Sequence, residues 1–115
     1  MTPDEAYAAI EAAFLGKPGV TRSAKKGFAE GGLMTGGKLF AVPHRGDQLL
    51  LKLPTGRIEG LIATGKGARF AMGPKSGGKD GGRVMKEWVL AQPEATDEWL
   101  SLAAEAEAFV RSLQP

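Results

Sequence analysis

The sequence contains no cysteine and only one histidine and one tyrosine. Without thiols there can be no disulfide, no thiolate nucleophile and no Cys-based zinc site. The single histidine, His44, has Asp47 as its nearest acid and no surrounding set of carboxylates. It therefore reads as a surface turn histidine beside Pro43. Neither a metal cage nor a Ser-His-Asp arrangement is suggested around it. Long apolar runs are also missing. The stretch 6–15 is interrupted by Glu11 and is too short to span a bilayer. The first residues, Met1-Thr2-Pro3-Asp4-Glu5, are acidic where a signal peptide would be basic. These absences together lead us to expect a soluble cytoplasmic chain with no membrane partner, and the missing cysteines suit a reducing compartment.

What is present fits one domain. At 115 residues and 12.1 kDa the chain can bury one core but not two. With 43% hydrophobic and 24% charged residues it is neither disordered nor fibrous.

The net charge of +2 conceals a division along the chain. Residues 1–16 carry −3, residues 17–90 carry +9 and residues 91–115 carry −4. All 17 glycines fall between positions 16 and 82. Acidic, glycine-free ends thus flank a basic, glycine-rich middle. Two readings follow. Either the ends fold back on the middle and neutralise it, or the middle forms a basic patch, which matters more for binding than the total charge does.

The element pattern is α+β. Thr2 suits an N-cap and Pro3 a first helical position, and Ala6, Ile10, Ala13 and Phe14 form a stripe at helical spacing, stopped by Gly16. The middle predicts strands over 20–28, 33–34, 38–42, 48–53, 68–72 and 83–90. Gly36-Gly37 marks a hairpin, and a short helix carrying Ile58, Leu61 and Ile62 precedes Gly65. In 48–53, Leu49, Leu51 and Leu53 share one face, and Leu50 and Lys52 share the other. A last helix over 96–113 carries Trp99, Leu102, Ala103, Ala106, Phe109, Val110 and Leu113 on one stripe, with Thr96 as its expected N-cap. The simplest assembly is an antiparallel twisted sheet with the N- and C-terminal helices packed on one face and one short helix between strands.

Two windows imitate a phosphate-binding loop. Residues 73–80 read Gly-Pro-Lys-Ser-Gly-Gly-Lys-Asp, and residues 32–39 read Gly-Leu-Met-Thr-Gly-Gly-Lys-Leu. Both lack the Ser or Thr that would hold magnesium, and neither precedes a helix, so both read as turns. The acids Asp4, Glu5, Glu11, Glu94, Asp97, Glu98, Glu105 and Glu107 read as solvated helix faces. No cofactor or metal is called for.

The basic middle is the candidate for binding. Arg22, Lys25 and Lys26 follow one another early, and Lys75, Lys79, Arg83 and Lys86 surround the glycine-rich segment 73–82. Such a grouping suits phosphate contacts without sequence readout. The interleaved Phe28, Phe40, Phe70 and Trp88 read as core rather than as stacking platforms. The expected function is a small non-enzymatic binding or regulatory module with a nucleic-acid partner. The alternative is an adaptor for a protein partner, using an exposed apolar patch at Leu50, Met72 or Met85.

Several short motifs resemble a known family. These are Gly37-Lys38-Leu39-Phe40-Ala41, Leu49-Leu50-Leu51-Lys52-Leu53-Pro54, Gly82-Arg83-Val84-Met85-Lys86-Glu87-Trp88-Val89, and Trp99-Leu100-Ser101-Leu102-Ala103 with Ala108-Phe109-Val110. Their order and spacing over residues 20–113 resemble the TfoX/Sxy N-terminal domain family and the related MmcQ/YjbR-like proteins. The resemblance implies an α+β fold of the YjbR or frataxin-like kind. It also implies a DNA-binding or regulatory role, and it brings no catalytic residue with it.

Overall fold

A computed structural model of the chain describes residues 1–24, 26, 29–45, 47–72 and 83–114, with backbone alone at 71–72 and 83–86. The elements run α1 (Pro3–Phe14), β1 (Val20–Arg22), β2 (Leu33–Thr35), β3 (Lys38–His44), β4 (Gln48–Lys52), α2 (Thr55–Ala63), β5 (Gly67–Met72), β6 (Arg83–Ala91) and α3 (Thr96–Ser112). The six strands form one sheet in the order β1-β2-β3-β4-β6-β5, every neighbouring pair antiparallel. Only the step from β4 to β5 skips a position. α2 bridges it, and β6 returns between the two strands.

Local chemistry sets the helix ends. The Thr2 hydroxyl accepts from the Glu5 N–H at 3.1 Å, and the Glu5 carboxylate accepts from the Thr2 N–H at 2.9 Å. This reciprocal capping box satisfies two backbone donors of the first turn. At the other end of the chain the expected cap is different. Pro93–Ala95 forms a 3-10 turn, Ala95 takes the cap position, and Thr96 is the first helical residue. Its hydroxyl instead donates to the Met1 carbonyl at 3.1 Å, tying the chain's start to α3.

Both faces of the sheet are buried, by different means. On the inner face, Leu33, Phe40, Leu49, Leu51, Leu53, Val89 and Ala91 meet the stripes of all three helices, including the buried Trp99 of α3. α3 lies over β2, β3 and β4, α1 lies against α3, and α2 covers β5 and β6. The outer face carries a second cluster of Val42, Leu50, Phe70 and Trp88, with Leu39 and Leu90 beside it.

Two departures from simple alternation matter. Leu33 faces Ala41 while Met34 faces Leu39, so β3 contains one residue more than β2 at this point. The bulge puts Phe40 and Ala41 on the inner face together and leaves Leu39 and Val42 outside. The first strand is also shorter than the 20–28 expected. It ends at Arg22, because after Val20 the chain has no alternating apolar residues to hold a strand against the core. The Ser23 N–H then donates to the Gly32 carbonyl at 2.8 Å.

Candidate functional site

The structure separates the seven candidate bases into groups. Arg22 ends β1, at one edge of the sheet, and Lys26 follows it as an exposed residue. Arg83 and Lys86 lie on β6, fifth in the strand order. Four inter-strand steps at about 4.8 Å separate β1 from β6 by about 19 Å. Lys25, Lys75 and Lys79 lie outside the described residues, as do the side chains of Arg83 and Lys86.

Ion pairs show where the acidic ends meet the basic middle. Arg22 contacts Glu11 of α1 at 3.0 Å, Arg57 contacts Glu105 of α3 at 2.8 Å, and Lys66 contacts Glu98 of α3 at 2.8 Å. All three belong to the helical side of the sheet. Two more pairs stay within the middle, Arg69–Glu59 at 2.9 Å and Lys52–Glu87 at 4.0 Å. The geometries are unequal. Arg57 and Arg69 each hold their carboxylate with two nitrogens. These forked hydrogen bonds raise the Arg57 and Arg69 pKa values and hold Glu59 below the usual carboxylate range. Arg22 reaches Glu11 through one nitrogen only.

The ends therefore fold back on part of the middle. Lys26, Lys38 and Arg45 are exposed and form no ion pair among the described residues. Lys38 and Arg45 stand at opposite ends of β3, each beside a hairpin turn. Arg45 holds a positive φ of 55°, a conformation that a side chain adopts only in a tight turn.

Among the described residues the outer face shows no exposed aromatic platform for stacking. Phe70 and Trp88 are buried in the outer cluster and Phe40 in the inner one, while Phe28 lies outside the described residues. The patch expected of a protein adaptor loses one member, because Leu50 is 0% exposed. The side chains of Met72 and Met85 are not described. His44 is not the turn residue expected. It closes β3, half-buried, with its ring edge-on to Phe70 at 5.5 Å. Burial, then the neighbouring Arg45 charge, lowers its pKa below the usual imidazole range.

One open depression of about 240 Å³ lies between α1 and the β3–β4 hairpin, lined by Asp4, Tyr7, Glu11, Pro43, Gln48 and Trp99 among others. Its two aromatic polar atoms are already committed. The Tyr7 hydroxyl donates to the Gly31 carbonyl at 2.7 Å, and the Trp99 indole donates to the Gln92 carbonyl at 3.1 Å. Burial moves the Tyr7 hydroxyl pKa upward. Among the described residues no three His, Asp or Glu side chains gather closely enough to hold a metal ion. The 32–39 window folds as β2, a Gly36-Gly37 turn with φ of 59° and 84°, and β3, so no helix follows it. The 73–80 window lies outside the described residues. No helix among the described residues is long and apolar enough to cross a membrane.

Sequence reasoning placed Glu107 on a solvated helix face, and the structure places it at 5% exposure. Its carboxylate accepts from the Thr35 hydroxyl at 2.9 Å and from Arg111. The signal was present, since Glu107 lies four residues after Ala103 and three before Val110, inside the apolar stripe.

Comparison with protein-family models, with curated proteins and with solved structures finds no match.

Proposed function

We propose that the chain is a small non-enzymatic binding module that engages nucleic-acid phosphates through its basic middle. The observation that carries this reading is the distribution of ion pairs. The terminal acids that pair with the middle are spent on Arg22, Arg57 and Lys66, on the helical side. Exposed Lys26, Lys38 and Arg45 make no ion pair among the described residues. Phosphate recognition needs such uncommitted cations, and it needs no aromatic platform or catalytic group.

The resemblance to the TfoX/Sxy N-terminal and MmcQ/YjbR-like families is part of the same proposal. The motifs that carry it fall on β3, β4, β6 and α3, the centre of the sheet and the helix above it. They therefore speak for the fold more than for a binding residue.

The test is a titration of labelled duplex DNA and of single-stranded RNA at about 50 mM and about 200 mM salt. Affinity is expected to fall steeply between the two, as released counterions require. Absence of binding to either probe at the lower salt overturns the reading.

A further inference from the structure

Arg22 and Glu11 stand at the root of the segment that leads to Lys25 and Lys26. Two properties of the contact bear on binding. It uses one guanidinium nitrogen, at 3.0 Å, whereas Arg57 and Arg69 each use two. A guanidinium has five N–H donors, so the contact leaves most of its fork unspent on Glu11. The two partners are also unequally exposed, with the Arg22 side chain at 54% and the Glu11 side chain at 28%. The acid is sheltered on α1, beside Tyr7, and the base faces solvent.

From this geometry we infer that Glu11 acts as a built-in competitor for phosphate at Arg22, tuning how tightly the basic middle binds nucleic acid. The inference rests on the nucleic-acid reading proposed above. The chemistry is direct. A carboxylate and a phosphodiester oxygen are both anionic acceptors for the same fork, and a phosphate can take it with two bonds where Glu11 takes one. An ion pair this open to solvent contributes little to stability, so a phosphate can displace Glu11 at little cost. In the free protein Glu11 withholds one cation from the surface. In the complex Arg22 swings to the phosphate, while Glu11 remains nearby as a repulsive charge.

The experiment compares wild type, Glu11→Gln, Arg22→Ala, the double variant, and Asp4→Asn. Asp4→Asn removes the same charge from the same helix, at a residue with no ion pair among the described residues. Binding of a labelled DNA duplex is followed across a salt series. Glu11→Gln is expected to tighten binding several-fold at low salt with the salt slope close to wild type, because Arg22 meets a phosphate in both complexes, whereas Arg22→Ala is expected to lower the slope by about 0.9. The double variant is expected to match Arg22→Ala. Glu11→Gln indistinguishable from Asp4→Asn overturns the inference, as does a double variant that binds as tightly as Glu11→Gln. In both cases wild-type binding stands and the underlying reading survives. If neither wild type nor any variant binds at low salt, that reading and this inference both fall.

Discussion

Glu107 holds a charge where little water reaches it. Hydrogen bonds from Arg111, the largest influence, outweigh the cost of burial and hold its carboxyl below the usual carboxylate range, and Thr35 adds to the effect. A carboxyl with a lowered folded-state pKa stabilises the fold above its unfolded pKa. That contribution disappears as pH falls through the folded value. Urea unfolding across an acid pH series should therefore show a loss of stability below the usual carboxylate range that is shallower in Glu107→Gln. At neutral pH, Glu107→Ala is expected to cost about 1–3 kcal/mol, because it strands the buried Thr35 hydroxyl. The same corner contains Gly36, at a φ of 59°, where an added Cβ would collide with the Gln114 side chain. That side chain donates to the Thr35 carbonyl at 2.6 Å. Gly36→Ala should thus lose both a relaxed turn and a tether, about 1–3 kcal/mol together. Thermal melting of Gly36→Ala with and without Gln114→Ala separates the two, because the second change removes the collision but leaves the backbone strain.

At the scale of elements, the parts legible in the sequence were those with one dominant local signal. α1 was marked by Thr2, Pro3 and an apolar stripe, and the β2–β3 turn by Gly36-Gly37. β4 was marked by a leucine run whose two faces became the inner and outer clusters. The bulge at Phe40 was not legible, because which face an extra residue joins depends on the partner strand. The end of β1 is marked only by the loss of apolar alternation after Val20, with no glycine or proline at Arg22 to stop the strand. The candidate site was legible as a list of bases and illegible as a surface. Pairing across the chain, such as Arg57 with Glu105, depends on how α2 and α3 pack. Leu50 shows what the two-faced sheet demands. Its side chain is fully buried with no helix of the inner layer above it. Leu50→Ala should cost about 2–5 kcal/mol, as a core truncation does. Leu100→Ala, on the exposed side of α3, should fall within about 0.5 kcal/mol of wild type. Denaturant midpoints of the two variants decide the matter, and equal midpoints would deny the outer cluster a structural role.

For the molecule as a whole, the issue is which bases keep their charge available. Arg22, Arg57 and Lys66 are engaged by acids from α1 and α3, whereas Lys26 and Arg45 are exposed without ion pairs among the described residues. Total charge cannot distinguish these groups, but a matched pair of variants can. Lys26→Ala with Arg45→Ala and Arg57→Ala with Lys66→Ala each remove two positive charges. If nucleic acid engages the exposed bases that lack ion pairs, the first pair should weaken duplex binding and lower the salt slope by up to about 2. The second pair should leave the slope unchanged and reduce stability by no more than about 1 kcal/mol per exposed ion pair lost. Anisotropy titrations at several salt concentrations read the slope, and urea melts read the stability. Equal weakening in both double variants would mean that binding responds to net charge alone. The division of the chain into acidic ends and a basic middle would then have no directional consequence. A loss confined to the first variant would mean that the fold uses its own acids to decide which bases remain available for phosphate.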